Sequence, residues 1–590
     1  MAEILAGKDD LPYIPDDVLL PQFLLDMHHP LRPVQTTPQA WLVEEATRRK
    51  IGSDELRART HGLANALKLR WNLGEDDVAC IFSPNHVGRS RSWAASSRRI
   101  LLGASFVLCL IETYRTSNPL YTAEELAHQL ELSKTRLLFV HPAMLTVAAE
   151  AAHAVGLAYD RIVLFDPIPA SPHSNVQELI KFGLGAKQEY AERRLKPGEA
   201  RTKLALLLFS SGTTGKPKAV MISHYGLVAN IVQVAQYIQV HDGNVPPKSR
   251  HFRVGDVSLG DAYGLHFVLF FGMFAGLTIV VSPKYSLERM LQSIQQYRVT
   301  HLWLVPPQAI MICKLISLNT QSPAVQDYDL SSVQFVACGA APVSGELTDQ
   351  LTKVLPNALV GQGYGMTETS TMITFCQLDK RIGTPGCAGL LIPGVEARVV
   401  KVDGTLAQFG EPGELHLRSP ALSLGYYDNP TATAETFKDG WLHTGDEVKL
   451  NENGEVFVVD RIKELIKVRG FQVAPSELEG HLLDHPDVAD VCVVGIPDDY
   501  SGELPFAFIV LNRDAQARVQ GNPQEKKKVK ERVMKHVSDH KTHFKWLAGV
   551  EFVDAIPKNP SGKLLRRVLR EQAKTMLASG KLSTVPKARL

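Results

Sequence analysis

The stretch Leu204-Ala205-Leu206-Leu207-Leu208-Phe209 runs directly into Ser210-Ser211-Gly212-Thr213-Thr214-Gly215-Lys216-Pro217-Lys218. A short apolar run closed by a Gly-rich turn reads as a buried strand. The turn combines hydroxyls, glycines and two lysines, which suits a polyphosphate: Gly lets main-chain N–H groups come close, hydroxyls donate, and ammonium groups neutralise charge. It is not a Walker A loop, because Gly212 is followed by Thr-Thr-Gly-Lys-Pro and the required Gly-Lys-Ser/Thr spacing is missing.

Outward from this strand, similar apolar runs recur at Ala79–Phe82, Leu137–Val140, Arg161–Phe165, Thr278–Val281, His301–Val305 and Phe335–Ala337. Helical patterns such as Ala123–Leu132 and Leu287–Tyr297 lie between them. That alternation predicts an α/β chain with mainly parallel sheets. From about Gly394 the texture changes: Val395–Val402, Gly413–Arg418 and Glu455–Val459 alternate like half-exposed strands, with turns at Asp403-Gly404 and Asn453-Gly454. After Asp460 a smaller unit follows, with strands at Val491–Gly495 and Phe506–Val510. Its helix near Glu525–His540 carries Val529, Val533 and Val537 on one face.

The 590 residues fit three or four structural units at about 150 residues each. Lys plus Arg total 64 against 62 Asp plus Glu, a formal charge of +2, which gives no global argument for nucleic acid or an anionic membrane. With 45% hydrophobic and 21% charged residues the chain is not mostly disordered. Seven scattered cysteines, with no CxxC pair, predict a reducing compartment and no zinc cluster. The N-terminus carries acids and prolines rather than a secretory signal. Ile100–Ile111 is too short to span a bilayer, and Phe267–Val281, broken by Gly272 and Gly276, reads as a buried helix running into a buried strand. The final Ala588-Arg589-Leu590 fits the loose form of the peroxisomal address, so the expected location is the peroxisome through its import receptor, otherwise the cytoplasm.

The loop Ser210–Lys218 resembles the signature of the adenylate-forming superfamily, which includes acyl-CoA synthetases, coumarate–CoA ligases, luciferases and peptide-synthetase adenylation domains. Four further blocks match in order: Gly361-Gln362-Gly363-Tyr364-Gly365-Met366-Thr367-Glu368-Thr369; Gly440-Trp441-Leu442-His443-Thr444-Gly445-Asp446; Asp460-Arg461-Ile462-Lys463-Glu464-Leu465-Ile466-Lys467 with Arg469-Gly470-Phe471-Gln472; and Pro560-Ser561-Gly562-Lys563. The details look most like the coumarate–CoA ligase and fungal acyl-CoA ligase branch. The resemblance implies a large N-terminal domain over 1–459, made of two parallel-type α/β subdomains and a β-rich part at about 394–459. A small mobile α+β domain follows over 460–575, with the hinge at Asp460 and a flexible tail at 576–590.

It also implies an ATP- and Mg²⁺-dependent ligase that joins an aryl, phenylpropanoid-like or fatty acid to coenzyme A through an acyl-adenylate, in secondary metabolism. Ser210, Ser211, Gly212, Thr213, Thr214, Gly215, Lys216 and Lys218 would hold the β- and γ-phosphates, Thr367 a phosphate and Glu368 the metal, a hard cation suited to carboxylate. Gly339, Ala340 and Ala341 match the adenine-side loop, and Gln362, Gly363, Tyr364 and Gly365 would also bind the nucleotide. Asp446 would accept the ribose hydroxyls, since a carboxylate takes two hydrogen bonds from a vicinal diol. Arg461 and Lys463 would lie near ribose and phosphate, Lys467 and Gln472 around the adenylate, and Gly470 where the CoA arm passes. Lys563 would reach the substrate carboxylate and α-phosphate. Taken alone, Thr-Glu or Gly-Asp is an ordinary turn and a lysine an ordinary solvated side chain; the ordered blocks change that reading. The basic run Lys526-Lys527-Lys528-Val529-Lys530 reads as a solvated helix face, with contact to the 3′-phosphate of CoA as the alternative.

Two regions depart from the family pattern. Between Val87 and Ser117, where a helix of small apolar residues and a strand belong, the chain has Arg89, Arg91, Arg98 and Arg99. Some thirty residues near Gly88–Thr116 are therefore expected to stand outside the fold. Residues 255–260 run straight into Asp261-Ala262-Tyr263-Gly264-Leu265, without the usual Pro-aromatic-aromatic-His segment, leaving Tyr263 and His266 as pocket candidates. These departures keep open a catalytically impaired nucleotide-binding homologue. Loading of a carrier protein is the other alternative.

Overall fold

Thr122 opens the helix Ala123–Leu132 by accepting the Glu125 N–H, while the Glu125 carboxylate accepts the Thr122 N–H. This capping box satisfies two of the N–H groups that a helix start leaves without partners. The structure, a computed structural model, describes residues 3–579 apart from 7–10, 35–39, 46, 75–76, 84–112, 118–120, 211–217, 241–250, 255–262, 283–285, 318–327, 340–342, 344, 470, 499–500 and 559–563.

The apolar runs become the strands of two seven-stranded sheets. One has the order Gly425–Tyr426, Lys218–Ser223, Leu204–Ser210, Thr113–Ser117, Val78–Phe82, Thr135–Val140, Ile162–Leu164; its last five strands run parallel. The other has the order Leu359–Gln362, Phe335–Cys338, His301–Leu304, His251–Val254, Thr278–Val281, Ala40–Glu44, Lys50–Gly52, parallel up to its final hairpin. The β-rich part is a six-stranded antiparallel sheet that includes Val395–Val400, Gly413–Arg418, Trp441–Leu450 and Val456–Arg461. Beyond it a five-stranded sheet is packed by Pro475–Leu483 and Pro523–Ser538, with Val529, Val533 and Val537 fully buried. The predicted α/β architecture with a small C-terminal unit is what the chain adopts.

The helix His224–Ile238 is buried over most of its length and fixes the elements around the site. The Asn230 side chain donates to the Met372 carbonyl (2.8 Å) and accepts the Met372 N–H (3.1 Å), which pins the strand Thr371–Phe375 in register. Elsewhere, helices Ser53–Trp71 and Val176–Gly185 cross so closely that a Cβ on Gly183 would sit 1.8 Å from the Gly62 carbonyl oxygen.

The run Phe267–Val281 is a buried helical segment entering a strand, as expected. Tyr263–Phe271 winds as a π-helix, Gly272–Phe274 continues it, and Thr278–Val281 is the strand. Among the described residues no helix is long and apolar enough to cross a membrane. The arginine-rich Gly88–Arg99 stretch lies outside the described residues, but the expectation that everything through Thr116 stands outside the fold is corrected. Thr113–Ser117 forms a parallel strand between Val78–Phe82 and Leu204–Ser210. Thr113, Tyr114 and Thr116 are residue types of high strand propensity, which outweighs the arginine-rich texture before them.

Candidate functional site

The string Gly361–Thr369 is built around alternate glycines. A Cβ on Gly361 would meet Cys376 Cβ at 2.2 Å, on Gly363 Met372 Cε at 2.6 Å, and on Gly365 the Thr371 carbonyl oxygen at 1.5 Å. The three glycines fall in or beside two strands, Leu359–Gln362 and Tyr364–Met366, yet each meets the returning segment 371–376, and only a bare Cα lets the chain fold back this tightly. The return passes through Ser370 and Thr371, both at positive φ (52° and 119°). That is a strained conformation for a β-branched residue. It is held by Ser370 Oγ donating to the Ala421 carbonyl at 2.7 Å and Thr369 Oγ1 donating to the Thr371 carbonyl at 3.1 Å.

Two clusters stand on this frame. In the first, antiparallel register places Asp446 opposite Arg461. Arg461 Nε lies 2.7 Å from Asp446 Oδ1, and the Tyr364 hydroxyl donates to Oδ2 at 2.6 Å. The Asp446 side chain is 4% exposed and that of Arg461 34%, so the carboxylate is sheltered while the guanidinium reaches water. Burial, then the adjacent Asp446 charge, pushes the Tyr364 phenol well above its ordinary range, and the same charge raises Arg461. Glu414 steadies the cluster by accepting the Gly445 N–H at 3.0 Å.

The second cluster joins the end of the loop Ser210–Lys218 to the turn Thr367–Thr369. Buried Glu368 accepts the Tyr426 hydroxyl at 2.9 Å, and Lys218 Nζ lies 4.7 Å from the centre of the same ring. Burial and the Glu368 charge raise the Tyr426 phenol, so it stays a donor. Thr367 is half-buried at the start of that turn. Gln362 holds Val343, its amide donating to the Val343 carbonyl (2.9 Å) and accepting the Val343 N–H (3.0 Å). Tyr263 stands over Gly339: a Cβ there would lie 3.4 Å from the ring.

Of the other expected residues, Ser210 ends its strand, while Ser211, Gly212, Thr213, Thr214, Gly215, Lys216, Ala340, Ala341, Gly470 and Lys563 lie outside the described residues. Lys467 and Gln472 face each other in the hairpin Ile466–Val468/Phe471–Val473, both exposed, as is Lys463. The strand Val456–Arg461 continues through Asp460. The Asp460 carboxylate accepts the N–H of Arg461 (2.7 Å) and of Ser476 (3.0 Å), clasping the entry to the small unit. Sequence reasoning missed Tyr426 and Glu414. The only local signal was the aromatic pair Tyr426-Tyr427 before Asp428-Asn429-Pro430.

His266 is buried, with Nε2 donating to the Leu227 carbonyl (2.9 Å) and Nδ1 3.2 Å from Thr371 Oγ1. Both nitrogens are used by the neutral ring, and burial holds its pKa at about 4, as it does for His141 and His301. An unfolded imidazole near 6.5 takes up protons that the folded ring refuses, so stability falls as pH drops from 6.5 towards 4. The loss is about 1.4 kcal/mol per pH unit for each such group. Urea midpoints are expected to fall steadily from pH 7 to 4.5, with a shallower slope in His266→Gln. A variant curve parallel to the parent's would remove His266 from this account.

Comparison with known proteins gives the family and the fold. The AMP-binding enzyme family matches residues 32–427, and the AMP-binding enzyme C-terminal domain matches 477–563. 4-Coumarate–CoA ligase 5 of Oryza sativa subsp. japonica is 35% identical over 571 residues, covering 93% of this chain and 96% of that protein. 4-Coumarate–CoA ligase 1 of Petroselinum crispum is 32% identical over 594 residues, covering 99% and 100%. In fold, ATP-bound MatB from Rhodopseudomonas palustris matches with a TM-score of 0.76 at 24% identity, over 95% of this chain and 99% of that one.

Proposed function

The chain belongs to the AMP-binding enzyme family, and we propose that it acts as an ATP-dependent acid–CoA ligase on an aryl, phenylpropanoid-like or fatty carboxylic acid. The observation that carries this reading is the pair of clusters on one glycine-built frame, Tyr364–Asp446–Arg461 and Lys218–Tyr426–Glu368. One offers a sheltered carboxylate for a diol. The other offers a cation and a buried carboxylate where the strand Lys218–Ser223 begins.

In the first step a carboxylate oxygen of the acid attacks the α-phosphorus. The bond to the bridging oxygen breaks, and pyrophosphate leaves. In the second, the CoA sulfur attacks the acyl carbon, the C–O bond to AMP breaks, and the thiol proton is released. Because two anions meet in the first step, charge compensation and positioning carry most of the rate. Asp446 holds the ribose hydroxyls, Arg461 covers the negative charge beside them, Thr367 donates to phosphate, and Lys563 meets the incoming carboxylate. Glu368 fits a Mg²⁺ ligand, since among the described residues the Tyr426 hydroxyl bonds only one of its oxygens, and Mg²⁺ neutralises phosphate charge when bound.

The test is to incubate the protein with ATP, Mg²⁺, CoA and a panel of aryl, cinnamic-type and fatty acids, measuring pyrophosphate and acyl-CoA. The expected result is stoichiometric formation of both with at least one acid. A folded protein that forms neither across the panel overturns the proposal.

A further inference from the structure

Away from the nucleotide site, the small C-terminal unit carries a group of histidines with no part in the reaction above. His481 lies on Pro475–Leu483, His536 on Pro523–Ser538, and His540 one turn further on. One ring nitrogen from each lies within 4.8 Å of those of the other two. His481 and His536 stack at 4.2 Å, and His540 packs 5.2 and 5.4 Å from their ring centres.

The hydrogen bonds set the protonation pattern. His481 Nε2 donates to the His536 carbonyl (3.0 Å), His536 Nε2 to the His481 carbonyl (3.1 Å), and His540 Nδ1 to the His536 carbonyl (2.9 Å). A carbonyl only accepts, so each neutral ring spends its one N–H there and keeps a lone-pair nitrogen. Main-chain carbonyls play this supporting part for metal-bound imidazoles. The nearby lysines are paired, Lys535 with Asp539 (2.6 Å) and Lys541 with Glu477 (3.2 Å), so they oppose a cation less.

We propose that His481, His536 and His540 form a binding site for a borderline first-row divalent cation such as Zn²⁺, clamping the helix Pro475–Leu483 to the end of Pro523–Ser538. Three imidazoles suit such an ion and leave one position for water. Bonds of about 2.0–2.1 Å to a tetrahedral ion put the nitrogens roughly 3.4 Å apart, and the rings already bring one nitrogen each to within 4.8 Å of the other two. His481 and His536 are half-buried and His540 is exposed, so an ion would reach the cluster from the solvent side. The clamped helix carries Ser476, whose N–H holds Asp460, so the ion would stiffen the entry to the small unit.

The test titrates the untagged full-length protein with Co²⁺ and follows visible d–d absorption, then displaces it with Zn²⁺. The expected result is one equivalent bound, bleached by Zn²⁺, and a Zn²⁺-dependent rise in melting temperature. His540→Ala and His481→Ala should each weaken binding at least tenfold, while His543→Ala, an exposed histidine outside the cluster, should not. His443→Ala tests the other such group among the described residues, Glu414, His416 and His443. No saturable Co²⁺ signal, or a signal lost in His443→Ala but kept in His540→Ala, overturns the proposal.

Discussion

Lys563→Ala is expected to lower pyrophosphate release from acid and ATP by about 10²–10³-fold, the range for losing one preorganised charge-stabilising group. Thioester formation from supplied acyl-adenylate should change by less than about threefold, because the α-phosphate has by then been transferred and no second anion has to approach it. The two half-reactions separate a lysine that meets developing charge from one that merely supports the fold. A variant that melts like the parent yet loses both steps equally would refute the assignment of Lys563 to adenylation. So would a variant that loses neither.

How much of this was legible beforehand depended on whether the deciding contacts were local. Thr122 and Glu125 announce the helix Ala123–Leu132 within four residues, and Val529, Val533 and Val537 reveal a buried face by spacing alone. The glycines at 361, 363 and 365 were visible as a motif. Their purpose was not, because it depends on Thr371, Met372 and Cys376 folding back against them. Tyr426 was missed for a related reason. Its place between Glu368 and Lys218 comes from the pairing of Gly425–Tyr426 with Lys218–Ser223, some two hundred residues apart in sequence. Thr113–Ser117 was misjudged because the arginine-rich run before it dominated the reading, whereas its slot is set by two distant parallel neighbours.

Asp446→Asn is expected to weaken ATP binding by about 10²–10³-fold and to abolish discrimination between ATP and its 2′,3′-dideoxy analogue. Each hydrogen bond to a charged acceptor is worth about 1.5–3 kcal/mol, and a diol makes two. The amide can keep the protein's own contacts, turning its oxygen to Arg461 Nε and its NH₂ to the Tyr364 hydroxyl, which then accepts. It loses the charge and half the acceptor capacity that the ribose requires. The stability cost should stay near 1–2 kcal/mol, below that of breaking a fully buried pair, because Arg461 is one-third exposed and water can solvate it. Calorimetric titration of parent and variant with both nucleotides measures the effect directly. A variant that still prefers ATP to the dideoxy analogue would place the ribose elsewhere and leave Asp446 as the structural partner of Arg461 and Tyr364.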